Sequence, residues 1–300
     1  MRIGISAGGA TVDQAVASVK QAADEGFPTA WFSHIFGLDS ITACALAGHA
    51  VPGIELGTAV VPTYSRHPYY MAQQAMTAQS ACSGRFVLGI GLSHQVVIET
   101  ILGLSFDKPA KHMEEYVSVL MPVLEKGNMS FKGDIYNVDT SFAGLERLGT
   151  TPPPVLIAAL GPVMLRLAGA MTDGTITWMT GVSTIENHII PTMGKAAADA
   201  GRATPRVVAG VPICLTSNVD AAREAAATTF QIYGTLPSYR AMLDKEGAAG
   251  PADVAVIGDE AVVRAGIQRY ADAGATDLNG IIFGSPEEMT ASRALLQSLL

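Results

Sequence analysis

Charge is scarce in this sequence. Asp, Glu, Lys and Arg make up 15% of its 300 residues against 49% apolar residues, the reverse of a disordered composition. Nineteen basic residues face 27 acidic ones, a net charge of -8, and no Lys/Arg cluster occurs. That balance excludes a nucleic-acid or anionic-membrane surface as partner. Long apolar runs are also missing: no segment is long enough to span a bilayer, and the opening MRIGIS is strand-like at once, without a basic stretch followed by an apolar one. A cytoplasmic protein is expected. Cys44, Cys82 and Cys214 are too few and too far apart for a disulfide framework or a zinc site, and read as buried small hydrophobes. The six histidines form no HxH or HExxH pair, so no protein-held metal is expected.

What is present is alternation. Strand patterns occupy Ile3–Ser6, Thr29–Phe32, Ile54–Val61, Phe86–Leu92, Val155–Leu160, Gly174–Met179, Val207–Leu215 and Leu278–Phe283, with amphipathic helical stretches between them. Several strands are apolar on both faces, as parallel strands covered by helices must be. Eight right-handed βαβ steps predict a (β/α)8 TIM barrel, and no linker interrupts it, so residues 1–300 read as a single domain. Three pieces exceed the minimal barrel: a helix over 94–102, a hairpin around Gly133-Asp134, and a segment from Pro237 to Val256. Insertions at strand ends shape the mouth of such a barrel, so these are candidates for substrate contact. The competing fold is an open doubly wound sheet. Its G-x-G-x-x-G signature is nearly met at Gly89-Ile90-Gly91-Leu92-Ser93-His94, where His94 replaces the last glycine.

In a barrel the reactive groups sit at the carboxyl ends of the strands. Those ends carry Ser6, His34, His67, His94 and Trp178. Each histidine also has a structural reading, as a cap or loop hydrogen-bonder. Three at one rim nonetheless point to proton handling, because imidazole titrates near neutrality. Ala159-Leu160-Gly161-Pro162 reads as a strand-to-helix turn whose free amides face an anion, or as an ordinary turn of that kind. In IELGTAVVPTYSRHP, the small residues Gly57, Thr58 and Ala59 ahead of Val60 have two readings as well. They make a shelf for a flat ring, or they make room for a bulky side chain inside the barrel.

The segments LGTAVVPTYSRHP, SGRFVLGIGLSH, PVLIAALGP and AVIGDEAVVRAGIQRYADAGATD resemble the bacterial-luciferase-like oxidoreductases, and more narrowly the branch that uses the deazaflavin coenzyme F420. The resemblance covers nearly the whole chain. It implies a (β/α)8 barrel with the coenzyme in a carboxyl-face cleft and a non-proline cis peptide at Ala59-Val60 behind its central ring. It also implies coenzyme contacts from Thr58, Ala59, Val60, Ser93 and His94, with the phosphate held by Ala159, Leu160, Gly161 and Pro162. By the same resemblance a hydride passes between C5 of the deazaflavin and a small organic substrate. His34 and His94 are then the catalytic acid–base candidates, and Ser6, His67 and Trp178 line the substrate pocket. Relatives that act on sugar phosphates carry a glutamate acid where this chain has His94, so a sugar phosphate is not the expected substrate.

Three rivals follow from the same residues. They are an FMN-dependent monooxygenase on the same barrel, a non-redox barrel lyase or isomerase, and a non-catalytic deazaflavin carrier. The lyase reading lacks a strand-end lysine for Schiff-base chemistry. A homodimer is the expected assembly, through helices bearing Ala43, Ala45, Leu46 and Ala47 or Met71 to Met76.

Overall fold

A computed structural model describes all 300 residues. Eight parallel strands form the wall: β1 (Arg2–Ala7), β2 (Thr29–Phe32), β3 (Glu55–Thr58), β4 (Phe86–Gly91), β5 (Val155–Ile157), β6 (Gly174–Trp178), β7 (Arg206–Leu215) and β8 (Asp277–Ile282). They pair in chain order, and β8 returns to β1 through Arg2↔Asp277 and Ile5↔Gly280, so the sheet closes. The open-sheet alternative is thereby overturned. Ten helices follow as α1 (Val12–Asp24), α2 (Ser40–Ala50), α3 (Pro68–Ala81), α4 (Pro109–Lys126), α5 (Pro162–Met171), α6 (Ile190–Asp199), α7 (Val219–Thr229), α8 (Pro237–Glu246), α9 (Glu260–Asp272) and α10 (Pro286–Gln297). Their starts obey local chemistry. Thr11, Asp39, Asp259 and Ser285 cap α1, α2, α9 and α10 through their side chains. Proline occupies the first turn of α3, α4, α5, α8 and α10.

Strand alternation divides the apolar residues into two sets. Ile3, Ile5 and Ala7 of β1 and Phe86, Leu88 and Ile90 of β4 join a cluster of 55 buried residues between wall and helices. The opposite parity faces the barrel axis, where Trp31, Val87, Leu156, Ile176 and Val208 form a second cluster against which Ala59 and Val60 pack.

One expected element is built differently. The third strand is not continuous over 54–61: it stops at Thr58, passes through a cis Ala59-Val60 peptide and resumes for Val61–Pro62, paired to β4. The helix expected over 94–102 is present over 95–101, its last five residues, Val97–Ile101, wound as a π turn. The hairpin is present as Ser130–Lys132 against Asn137–Asp139. The segment after Pro237 is α8, a 3-10 turn at Pro251–Val254 and a short strand, Val256–Gly258, paired with β7. No helix is long and apolar enough to cross a membrane, and all three cysteines are buried and free.

Candidate active site

The barrel is sealed below and open above. At its amino end Arg206 pairs with both oxygens of Asp277 at 2.8 and 2.9 Å and with Glu55 at 2.7 Å, while Arg2 reaches Asp277 at 2.7 Å. Above this floor lies the Trp31 ring, with the Arg206 guanidinium 5.2 Å from its centroid. Trp31 explains one small residue, since a Cβ on Gly57 would fall 2.2 Å from Trp31 Cζ3. Val60 explains another, since a Cβ on Gly91 would lie 2.6 Å from Val60 Cγ2, while one on Gly89 would fall 2.0 Å from the Thr58 carbonyl oxygen. The near-dinucleotide glycines are therefore wall positions kept clear for the chain around the Ala59-Val60 peptide. Above Trp31 the interior is lined by Ser6, Ala59, Val60 and Ala158, which are small or slender and all partly exposed.

Thr58 is fully buried: its hydroxyl donates to the Gly89 carbonyl at 2.8 Å and accepts the Gly89 N–H at 2.9 Å. That pair of bonds joins β3 to β4 where the ladder breaks. Ala159 is likewise buried, with its N–H on Thr175 Oγ1 at 3.2 Å. Leu160, Gly161 and Pro162 stand at the rim. Gly161 caps α5 without a side-chain partner, and the Val163 and Met164 N–H groups carry no hydrogen bond within the protein. Oriented donors at a ten-residue helix start favour an anion. The turn is braced by His188, whose Nε2 lies 2.8 Å from the Leu160 carbonyl. A π turn, Ile185–Ile189, presents that histidine, and nothing in the local sequence pattern announces it.

The three rim histidines occupy different settings. His34 packs at the start of α2, with Nδ1 accepting the Ser40 N–H at 3.2 Å and lying 3.0 Å from Ser40 Oγ. Burial and the Arg66 guanidinium hold it below the usual histidine range, against the opposing pull of Asp39. Asp39 accepts the Thr42 N–H and hydroxyl at 2.9 Å each and pairs with Arg66. This Asp39–Arg66 pair was not legible in the sequence, although Asp39 stands where a helix cap belongs. His67 caps α3, accepting the Tyr69 N–H on Nδ1 at 3.3 Å, and its ring lies edge-on to Tyr136 of the hairpin. The His94 ring makes no hydrogen bond, is lowered in pKa by burial, and packs against Tyr239 of α8 with ring centroids 5.9 Å apart. Ser93 beside it adopts a left-handed backbone, φ 61°.

Trp178 shares the inward parity of Ile176, and a Cβ on Gly210 would lie 3.3 Å from its ring. Phe230 and Tyr233 meet that ring edge-on at 5.6 and 5.7 Å, and Tyr233 meets Tyr239 at 5.1 Å. The turn after α7 together with α8 thus builds an aromatic wall from the end of β6 to the loop after β4. The hairpin follows α4 rather than a strand, yet its tip returns to the carboxyl face. There Glu115 in α4 accepts the N–H groups of Asp134, Ile135 and Tyr136 at 2.8 to 3.0 Å.

A family model described as luciferase-like monooxygenase matches residues 2–292. The chain belongs to the luciferase-like monooxygenase family. Within the luciferase-like proteins, the chain is 26% identical over 307 aligned positions to an F420-dependent glucose-6-phosphate dehydrogenase of Kineococcus radiotolerans, spanning 92% of this chain and 88% of the relative. An F420-dependent secondary alcohol dehydrogenase, solved with an F420–acetone adduct, superposes with a TM-score of 0.81 at 19% identity, covering 100% of this chain and 98% of that one. The oxygenating constituent of 3,6-diketocamphane monooxygenase from Pseudomonas putida, solved with FMN, superposes at 0.77 and 14% identity over 99% and 96% of the two chains. At those identities the two structures share the luciferase-like barrel fold with this chain.

Proposed function

We propose that this protein is a deazaflavin-dependent oxidoreductase that moves a hydride between bound coenzyme F420 and a small organic substrate in the carboxyl-face cleft. One observation carries the reading. The small-residue shelf ending in Val60 and the uncapped start of α5 face the same mouth, which suits a flat ring with an anionic tail. The residues therefore fit the group: Ala59 and Val60 would back the ring, Ser93 and His94 would border it, and Leu160, Gly161 and Pro162 with the Val163 and Met164 amides would hold its phosphate. When bound, the deazaflavin supplies two-electron hydride chemistry. The chain supplies orientation, exclusion of water by the Trp178–Tyr233–Tyr239 wall, and polar groups at His34 and His94.

The loops at 8–11, 33–39, 59–67, 158–161, 179–181 and 283–285 contain only Asp39 and Arg66 as charged residues, and these pair with each other, whereas the loop after β4 adds Glu99, Asp107 and Lys108. The FMN reading is kept as the alternative, because an FMN-bound enzyme shares the fold. Titration of apo-protein with each coenzyme, followed by fluorescence quenching, discriminates between them, and saturable binding of F420 but not FMN is expected. Anaerobic turnover of reduced F420 with enones and aldehydes then tests the chemistry. Wild-type rates in both His34→Ala and His94→Ala would remove the proposed roles of these residues.

A further inference from the structure

The hydrogen bonds around His34 set which of its two nitrogens carries the proton. The Ser40 N–H points at Nδ1 from 3.2 Å, and an N–H donor needs a lone pair opposite it. A proton on Nδ1 would set two N–H groups head to head. Asp39 does not alter this. Its nearer oxygen is 3.9 Å from Nδ1, and both its oxygens are engaged, one by Thr42 and the other by Arg66. Ser40 Oγ at 3.0 Å can donate to the same lone pair. Nε2 has no partner in the protein and is not among its buried unpaired atoms, so it retains access to solvent at the rim where β2 ends.

We infer that His34 works as a neutral hydrogen-bond donor through Nε2–H to a substrate carbonyl oxygen, and that the site takes aldehydes, ketones or α,β-unsaturated carbonyl compounds and their reduced forms. The inference rests on the deazaflavin reading above and adds its substrate class. In the reduction of a simple carbonyl, the carbon gains a hydride from the reduced deazaflavin and the π pair moves on to oxygen. The oxygen, stabilised by Nε2–H, then takes its proton from water. In an unsaturated carbonyl the hydride goes to the β carbon, the same oxygen carries the enolate charge, and water protonates the α carbon. His34 is not consumed in either case. Run in reverse, with water taking the proton, the same donor serves alcohol oxidation, so the Ser40 N–H sets the role of His34 and not the direction. Ser40, through its backbone, is a positioning residue.

The test begins without coenzyme or substrate, so it stands apart from the success or failure of the coenzyme titration. Long-range 1H–15N spectra of protein labelled at histidine, with the His34 signals identified by their loss in His34→Ala, should show the proton on Nε2. A proton on Nδ1 overturns the inference. Ser40→Ala should leave the tautomer in place. Ser40→Pro should release it towards Nδ1–H, because proline suits the first helical position and Asp39 already has the extended backbone (φ -63°, ψ 117°) that proline requires of its neighbour. An unchanged tautomer in a folded Ser40→Pro variant overturns Ser40 as its determinant. Kinetics separate donor from base. His34→Ala should lower kcat for enone reduction about 100-fold, and His34→Gln, which retains an N–H donor, should recover about tenfold of that loss with little change in KM. Equal losses in the two variants overturn the donor role.

Discussion

At the scale of single residues, Gly57 is set by the side chain beside it on the neighbouring strand. Gly57 pairs with Trp31 of β2, and a methyl group there would collide with the indole in the bore. Gly57→Ala is expected to destabilise the protein by about 3 kcal/mol through overpacking, measurable by urea denaturation. Adding Trp31→Phe should return part of the loss if the indole is the obstacle. The sequence showed that something needed space beside Gly57 and left two occupants open. The one that applies to Gly57 is a side chain one strand away, and a single-strand pattern carries no information about its neighbour's inward residue. The shelf reading attaches to Ala59 and Val60, which sit one layer higher.

At the scale of elements, short-range rules were legible and long-range anchors were not. Alternating runs located all eight wall strands, and the Gly133-Asp134 pair located the hairpin turn. The break after Thr58 was invisible, because Val60 and Val61 continue a plausible strand pattern while Thr58 switches its hydroxyl into the ladder. The anchor of the hairpin was equally hidden. Glu115 is fixed by three backbone N–H groups and Lys111, contacts that hold its carboxyl at about 2 even though burial alone would raise it. A Cβ on Gly133 would lie 2.3 Å from Glu115 Oε2, so that turn is open for the carboxylate. Glu115→Gln should destabilise the protein by about 2 kcal/mol at neutral pH, because charged acceptors are lost. Its folded pKa lies below the ordinary 4.5, so the stabilisation is full above that value and disappears as pH falls towards 2. Stability curves of wild type and Glu115→Gln should therefore converge across that acid interval.

At the scale of the whole molecule, closure depends on four charged side chains from β1, β3, β7 and β8. Asp277, 1% exposed, takes Arg206 by two bonds and Arg2 by one, and Glu55 shares both arginines. Removing one partner of a buried ion cluster leaves a charge without compensation. Arg206→Ala is accordingly expected to lower stability by about 3 kcal/mol in chemical denaturation. Arg2→Ala, whose side chain is 43% exposed, should lower it by about 1 kcal/mol or less. The barrel itself could be predicted because strand-helix alternation repeats locally eight times. Pairs such as Asp39–Arg66 and His188–Leu160 could not, since each joins loops that meet only after closure.

That ionic base also governs traffic. A vessel shut at one end has a single doorway, so two ligands that occupy it together must pass the same opening in sequence. On the proposed arrangement, a ring resting against Val60 would arrive first and depart last, and whatever lay over it would decide when it was free to go.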